Sequence, residues 1–570
     1  MNNDNNTHES NKNNDKPVGL FADKAYKVTP DSNDSTPHSK TAPLSVSDTQ
    51  SQSHIAEQPT LDKEQQAAKK TIASGEPLKL AVVGHTNTGK TSILRTLLRD
   101  VYFGEVKNEA ATTRHVEQAQ LTDSQTGEVL VALYDTPGLE DASGLMDWLE
   151  DNTASRRDGI ERLQQFLAAD IAQGTNGGAS DSHLDNPLEN HADSYHAQSY
   201  DYSQEAKVIR QLLASDMAIY VVDAREPVLG KYKDELAILS WAAIPVMPVF
   251  NFTDSQNANI DEWQTMLARR NLHISTRFDS VAFEFEDEMR LWQNLATMLT
   301  HSEMLEQLMQ RRTENWARLS DEANIVIADF LINVAAFVRE INDSDDPMPV
   351  LTQMQEAVRQ SERTMQHNLL NLYKFYDNAV AATPLELQAY QQDPFDPELL
   401  KSYGIRTTSG AAAGALLGLG VDAAALGMTL GLGTAIGGIA GGLLSNTSSI
   451  ADRITGVKRL YIDPATLTLL ATRAIDLLTA LRHRGHAATD ATQLIYNGAK
   501  HDDESSENED DNLVTPWPTN KLPSELKKAR GKPQWSSLSS GKSEQAQLLR
   551  ADMAWSLSAK LQSYNHDSPN

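Results

Sequence analysis

An apolar run, "LKLAVV" (residues 78–83), passes straight into Gly84-His-Thr-Asn-Thr-Gly89-Lys90-Thr91 and then into "SILRTLL", whose apolar residues recur at helical spacing. A loop of the form G-x-x-x-x-G-K-[ST] between a strand and a helix constrains the fold more tightly than any other stretch of the chain. Its glycines let backbone N–H groups converge on phosphate oxygens without a clashing Cβ, and the helix N-terminus adds a positive partial charge. Lys90 supplies a mobile cation for the β- and γ-phosphates, and the Thr91 hydroxyl is placed to ligate Mg²⁺. Gly84, Asn87, Thr88, Gly89, Lys90, Thr91 and Ser92 are therefore the expected phosphate-binding set. The bland alternative, a glycine-rich turn matching by chance, is disfavoured by the strand and helix that flank it.

The apolar runs that follow, in "EVLVALYDTPG", "DMAIYVVDA" and "IPVMPVFNFTD", each end in turn or polar residues and alternate with helical stretches. Strands buried on both faces and separated by helices predict a mostly parallel sheet with helices on both sides, an α/β domain over residues 77–302. Residues 172–204 interrupt it as a low-complexity insertion, whose His183, His191 and His196 have no regular metal-ligand spacing. Beyond residue 302 the apolar spacing turns helical, as in Ile327, Phe330, Leu331, Val334 and Val338, which predicts an all-α domain over 303–490 with a glycine-rich apolar segment at 410–444. Residues 1–76 are too polar to offset chain ordering and are expected as a disordered tail. Residues 491–570 are expected as an acidic, mostly disordered tail with a short helix around "SEQAQLLRADMAWSLSAKL".

Composition narrows the function classes. With 78 acidic against 50 basic residues the chain carries a net charge of −28, which opposes indiscriminate attraction to nucleic acid or anionic lipid. The absence of cysteine excludes disulfides, thiolate metal sites and cysteine nucleophiles. The polar N-terminus lacks a basic-then-apolar layout, so the cytoplasm is the expected compartment.

A phosphate loop alone leaves kinases, ATPases, motors and GTPases open. Asp135-Thr-Pro-Gly138 ends a strand, where Asp135 can hold Mg²⁺ through water and the Gly138 N–H can bind a γ-phosphate. Between the two motifs, Thr113, with Thr112 as the alternative, is the candidate to close on Mg²⁺ and the γ-phosphate and to be released on hydrolysis. Both threonines are equally well read as strand-entry residues. Asn251 and Asp254 end a later strand, and a carboxylate at Asp254 could accept from guanine's ring N–H and amino group. The GTPase pattern there is N-K-x-D, and Phe252 stands in the lysine position, where it can stack but brings no charge. Ser280 to Ala282 is the nearest match to a further base-contacting loop and lacks a lysine. No residue stands out as a general base.

These motifs, "GHTNTGKT", "ATTRH", "YDTPGLED" and "NFTD", resemble the Era and TrmE branch of bacterial GTPases over residues 78–298. "VVGHTNTGKTS", "DTPGLED" and the Asp223–Leu229 segment are similar to a bacterial group that joins such a GTPase to a C-terminal domain of unknown function. The resemblance implies GTP and GDP as ligands with Mg²⁺. It also implies K⁺ held by Asn87 in place of an arginine finger, and hydrolysis stimulated by G-domain homodimerisation. Leu139 follows D-x-x-G where Ras-like proteins have glutamine, so water must be positioned by something else. The Phe252 departure keeps an ATP-dependent enzyme open, and a nucleotide-gated structural module with little turnover is the second reading.

Within 410–444, Gly410, Gly414 and Gly418, and then Gly433, Gly437 and Gly441, recur every fourth residue, a stripe that permits close helix approach. The charge-free run 423–444 is long enough to span a hydrocarbon core, with "DRITGVKRL" as a basic flank suited to the inner membrane surface. A hairpin buried in the C-terminal domain explains the same pattern.

Overall fold

The computed structural model describes residues 76–100, 116–154, 158–169, 201–342, 344–375, 392–396, 399, 403, 419–422, 457–488, 515–518, 521–539 and 544–566. Thr112, Thr113, most of the low-complexity insertion and most of the glycine-rich segment lie outside them. The chain begins with β1 (Leu78–Val83), α1 (Lys90–Leu98), β2 (Glu117–Thr122) and β3 (Val129–Asp135). Then follow α2 (Ala142–Asn152), α3 (Gly159–Ala168), α4 (Ser203–Ala214), β4 (Met217–Asp223), α5 (Gly230–Trp241), β5 (Val246–Asn251), α6 (Ile260–Ala268), β6 (Thr276–Arg277) and α7 (Phe285–Thr297).

The six strands form one sheet in the order β2-β3-β1-β4-β5-β6, with only β2 antiparallel to its neighbour. Alternation along β1 shows why both faces are covered. Leu80 and Val82 pack under α1, α7 and the residues after α7, while Ala81 and Val83 face α2 to α6. This is the expected P-loop α/β architecture, and the carboxyl ends of β1, β3, β4 and β5 gather at one edge.

The second half is built around α8 (Glu303–Ala335), a helix of 33 residues, about 50 Å at 1.5 Å per residue. Its first turns bury Leu305 and Leu308 against the sheet domain, and its last bury Ile327, Leu331 and Val334 in a separate core, so one rigid rod belongs to both halves. Asp123 in the β2–β3 turn fixes the junction by accepting from Gln307 (2.7 Å) and Arg311 (3.0 Å), while Arg312 donates to the Leu97 carbonyl (2.6 Å). Burial works to raise the Asp123 pKa, but hydrogen bonds from the Gln125 amide, Gln307, Arg311 and the Thr126 amide outweigh it and hold the carboxyl at about 2.

Beyond α8 come β7 (Val338–Asn342), α9 (Met348–Leu372), β8 (Leu419–Asp422), β9 (Val457–Ile462), α10 (Pro464–Arg482), α11 (Ser524–Arg530) and α12 (Glu544–His566). The region is helical as expected, with a three-stranded antiparallel sheet, β7-β9-β8, that helical periodicity did not reveal. β8 falls inside the glycine-rich segment, so residues 419–422 are strand rather than part of a helical stripe. The basic flank is also partly strand: Arg459 of β9 faces Glu340 of β7 across the ladder and donates to it at 3.0 Å.

Among the described residues one helix, α10, is long and apolar enough to cross a bilayer, and 78% of its most apolar stretch is buried inside the protein. It is a core helix, joined to α9 by the buried Arg473–Glu362 pair (2.8 Å). The acidic C-terminal stretch also departs from expectation, because α11 and α12 within it pack on α8 through Leu526, Ala554, Leu557 and Leu561.

Candidate nucleotide site

The loop between β1 and α1 adopts backbone angles that its residue types permit. Gly84 (φ 145°) passes so close to β4 that a Cβ would sit 2.6 Å from the Val221 carbonyl, and Gly89 (φ 86°) would place one 2.2 Å from the Asn251 amide nitrogen. Asn87, exposed, holds φ 64°, a left-handed conformation that asparagine tolerates; this accounts for its residue type with or without a cation. The Thr88 hydroxyl donates to the His85 carbonyl (3.0 Å). The buried Lys90 ammonium crosses the loop to the carbonyls of Gly84 (3.2 Å) and His85 (2.7 Å). Burial lowers its pKa to about 8, against the charges of Asp135, Glu235 and Glu140. Ser92 is buried in the first turn of α1.

The end of β3 meets this loop from the other side. The Thr91 hydroxyl donates to Oδ2 of Asp135 at 2.5 Å, while Oδ1 of Asp135 is buried without a hydrogen-bond partner. Burial raises the carboxyl to about 6, against the Thr91 hydrogen bond and the Lys90 charge. A buried carboxylate oxygen lacking a partner beside a threonine hydroxyl fits a hard divalent cation with oxygen ligands. Gly138 lies against the loop, where a Cβ would stand 2.7 Å from the backbone of Thr86. The Leu139 N–H donates to the Gly84 carbonyl (3.2 Å), and its side chain is buried in the core, so it presents nothing to a nucleophile.

His85 reinforces this join, which sequence reasoning did not find. Lys231 donates to its Nε2 (2.8 Å), leaving the proton on Nδ1 between the Leu139 carbonyl (2.8 Å) and Glu235 (2.7 Å). Tyr220 donates to the other oxygen of Glu235 (2.7 Å). The α5 residues of this network stand too far along the chain for any spacing rule to link them to the loop.

Asn251 connects the phosphate half to the far half. Its amide donates to the Thr88 carbonyl (3.1 Å), and its oxygen accepts from the N–H groups of Phe252 (3.0 Å) and Ser280 (2.9 Å). The weak match at Ser280 to Ala282 is therefore placed beside Asn251, supported by Asp279, which accepts from the Val281, Ala282 and Asp254 amides. Asp254 is exposed at the same edge. Phe252, at φ 57°, sets its ring against Gly89 and under the Arg225 guanidinium, 3.9 Å from the ring centroid. A cation thus stands beside the uncharged lysine position, with Arg225 held by both oxygens of Asp223 (2.9 and 2.7 Å). The signal lay in "DAREP", with an arginine two residues past a strand end.

The Ser280–Phe283 loop is also bonded to the second half. The Phe283 N–H donates to the His483 carbonyl (3.0 Å), the Gly485 N–H donates to the Val281 carbonyl (2.8 Å), and Ala282 bridges Arg484. A Cβ on Gly485 would lie 1.9 Å from the Ser280 carbonyl oxygen.

Residues 264–555 match the family model described as a domain of unknown function (DUF3482), and residues 79–252 match the one described as 50S ribosome-binding GTPase. None of the curated proteins matches. Similar solved structures include Era in complex with MgGDPNP and a segment of 16S ribosomal RNA (14% identity, TM-score 0.25, 40% of this chain and 58% of that one). A bacterial selenocysteine-specific elongation factor matches at 13% identity and TM-score 0.22, over 39% and 28%. Aquifex aeolicus Era bound to GDP and aluminium fluoride matches at 14% and 0.26, over 51% and 89%. The chain thus spans little more than half of the first of these and under a third of the second.

Proposed function

The chain belongs to the DUF3482 family and carries a GTP-binding P-loop domain ahead of it, and from that premise we propose a Mg²⁺-dependent GTP phosphohydrolase whose nucleotide state is felt by the helical half. The observation that carries this is Asn251, which ties the phosphate loop at Thr88 to the base loop at Ser280 with a single carboxamide. Loop amides and Lys90 would hold the β- and γ-phosphates, and the Gly138 N–H, packed against the loop at Thr86, would meet the terminal phosphate. Thr91 and Asp135 would hold Mg²⁺, whose charge offsets that on the phosphates, with Thr113 as the third candidate. Water attacks the γ-phosphate as its bond to the β–γ bridging oxygen breaks, giving GDP and inorganic phosphate, and catalysis comes from positioning and charge neutralisation rather than from a general base. Leu139 is turned into the core, which supports a water-positioning group from elsewhere and keeps K⁺ at Asn87 within the proposal.

Coupling to the helical half would run through the bridge between Ser280–Phe283 and His483–Gly485. Membrane contact through 410–444 is narrowed by the sheet. β8 and β9 are antiparallel neighbours, so the chain leaves at Asp422 and returns at Val457 to the same place.

Calorimetry with GTP, ATP and XTP in Mg²⁺ on the full chain tests the nucleotide. Tight binding of GTP alone supports the proposal, and equal binding of ATP sinks guanine selection. Single-turnover hydrolysis in K⁺ and Na⁺ at matched ionic strength tests the cation, and equal rates remove Asn87 from that role.

A further inference from the structure

Where the two halves meet there is a cavity of about 160 Å³ at the C-terminal end of α1, the opposite end of that helix from the phosphate loop. Five of its sixteen lining residues are Arg99, Arg318, Lys374, Arg482 and Arg484, and none is acidic. That is a marked excess in a chain where 50 of 570 residues are Lys or Arg and the net charge is −28. Gathering like charges around a concavity costs Coulomb energy, which Glu288 offsets at Arg99 and which an anion taken up there would offset further. The donor inventory points the same way. Arg99 is largely buried, with one guanidinium nitrogen lacking any hydrogen-bond partner and standing 3.6 Å from Glu288. Trp316, stacked on Phe285, holds the Arg99 guanidinium 4.5 Å from its ring centroid, so the indole braces the cation rather than offering a face to a base.

We propose that this cavity is a binding site for a compact phosphate-bearing anion, distinct from the nucleotide loop. Guanidinium forks match phosphate oxygens in pairs, which favours phosphate over a halide or a lone carboxylate. The volume is below the roughly 300–1,000 Å³ of sites for drug-sized ligands, which favours a di- or polyphosphate or a small phosphoester over a whole nucleotide. His486, stacked on Phe375, is held neutral at physiological pH and adds no charge of its own.

The site is also placed to communicate. Arg99 caps the helix whose first residue is Lys90, and Arg484 and His486 flank the Gly485 contact with the base loop. An anion here would therefore alter guanine-nucleotide affinity, and the nucleotide would alter anion affinity by the same factor. This coupling rests on the GTP reading above; the binding itself does not.

The test titrates inorganic pyrophosphate into the full chain in three arms: saturated with GDP and Mg²⁺, as the Lys90→Ala variant, and with sulfate at equal ionic strength as the control. The expected result is one pyrophosphate site that persists in the first two arms, prefers pyrophosphate to sulfate, and weakens at least tenfold in Arg482→Glu and in Arg318→Glu. Arg318 is exposed on α8, so its variant leaves the core intact. Loss of binding in both loop-blocked arms assigns the anion to the nucleotide loop and overturns the proposal. So does unchanged affinity in the two charge-reversed variants. A chain lacking residues 502–511, an acidic run, adds a fourth arm: a tenfold gain in affinity would mean that the cavity serves the chain's own carboxylates, which also overturns it. If GDP itself fails to bind, the nucleotide reading falls while the Lys90→Ala arm still reports on the cavity.

Discussion

Phe252 follows Asn251 in the lysine position of N-K-x-D and lies under the Arg225 guanidinium, which comes from the end of a different strand. The ring packs on Gly89, so it braces the phosphate loop and shapes the base edge together. Phe252→Ala should raise the GTP dissociation constant about tenfold, roughly 1.4 kcal/mol, with Arg225→Ala giving a smaller rise and neither moving the melting temperature by more than a few degrees. Calorimetry with GTP checks both, and an unchanged affinity in Phe252→Ala would restrict the ring to packing. Gly89→Ala is the harsher case, since its Cβ would meet Asn251 at 2.2 Å in a backbone conformation that alanine rarely adopts. It should abolish measurable GTP binding.

At the scale of elements, the sheet domain was readable because four of its six strands, β1, β3, β4 and β5, are apolar runs closed by a polar turn, and the phosphate loop, Asp135–Gly138 and Asn251–Asp254 sit at such closures, whereas β2 ("EQAQLT") and β6 ("TR") carry no such run. The second sheet was not. β7 and β9 are short and carry charge, as in "VREIN" and "VKRLYI", and their partners lie more than a hundred residues apart, a pairing no local period encodes. The bridge from His483–Gly485 to Ser280–Phe283 was equally hidden. Its requirement for glycine gives a direct test: Gly485→Val should force the Ser280 carbonyl away and weaken GTP binding about tenfold or more, while circular dichroism shows the helices retained. If affinity is untouched, the bridge is only structural. Half-buried Asp476 within α10 and buried His486 just beyond it are two groups of opposite habit. Burial raises Asp476 to about 7, against the charge of Arg473, and lowers His486 to about 3, against its hydrogen bond to the Tyr373 carbonyl. For Asp476 the unfolded chain binds fewer protons between pH 3.8 and 7, so its contribution is present below that range and lost as pH rises through it. For His486 the unfolded chain binds more protons between pH 3 and 6.5, so its contribution is present above that range and lost as pH falls. Asp476→Asn should therefore raise the melting temperature at pH 8 but not at pH 4, and His486→Gln should flatten the loss between pH 6.5 and 4. Scanning fluorimetry across that range checks the two signs independently.

At the scale of the whole molecule, α8 couples the halves and α12 completes it. The acidic stretch 491–570 read as tail because α12 spreads its apolar residues around the helix: Ala546, Ala554, Leu557 and Leu561 face in, while Leu548, Leu549 and Trp555 face out. Such a helix has no clean stripe, and the acidic run before it dominates the composition. In the fold, Arg550 chelates Asp329 of α8 with both arms, and Asn333 of α8 accepts from Ser536 and Ser537, so polar anchors set the register that the pattern lacks. Trp517, Leu522, Leu526, Trp535, Leu557 and Leu561 are all buried by this return of the chain. At about 1.5–3 kcal/mol for each such side chain, their burial contributes on the order of 10 kcal/mol, comparable with the whole net stability of a domain. A chain ending at residue 500 should therefore lose the cooperative unfolding of the helical half and aggregate, with Leu561→Ala in the full chain costing about 2–5 kcal/mol as a milder version. Urea titration followed by tryptophan fluorescence measures both. If the truncated chain still unfolds cooperatively at the wild-type midpoint, α12 is an ornament on α8 rather than part of its core.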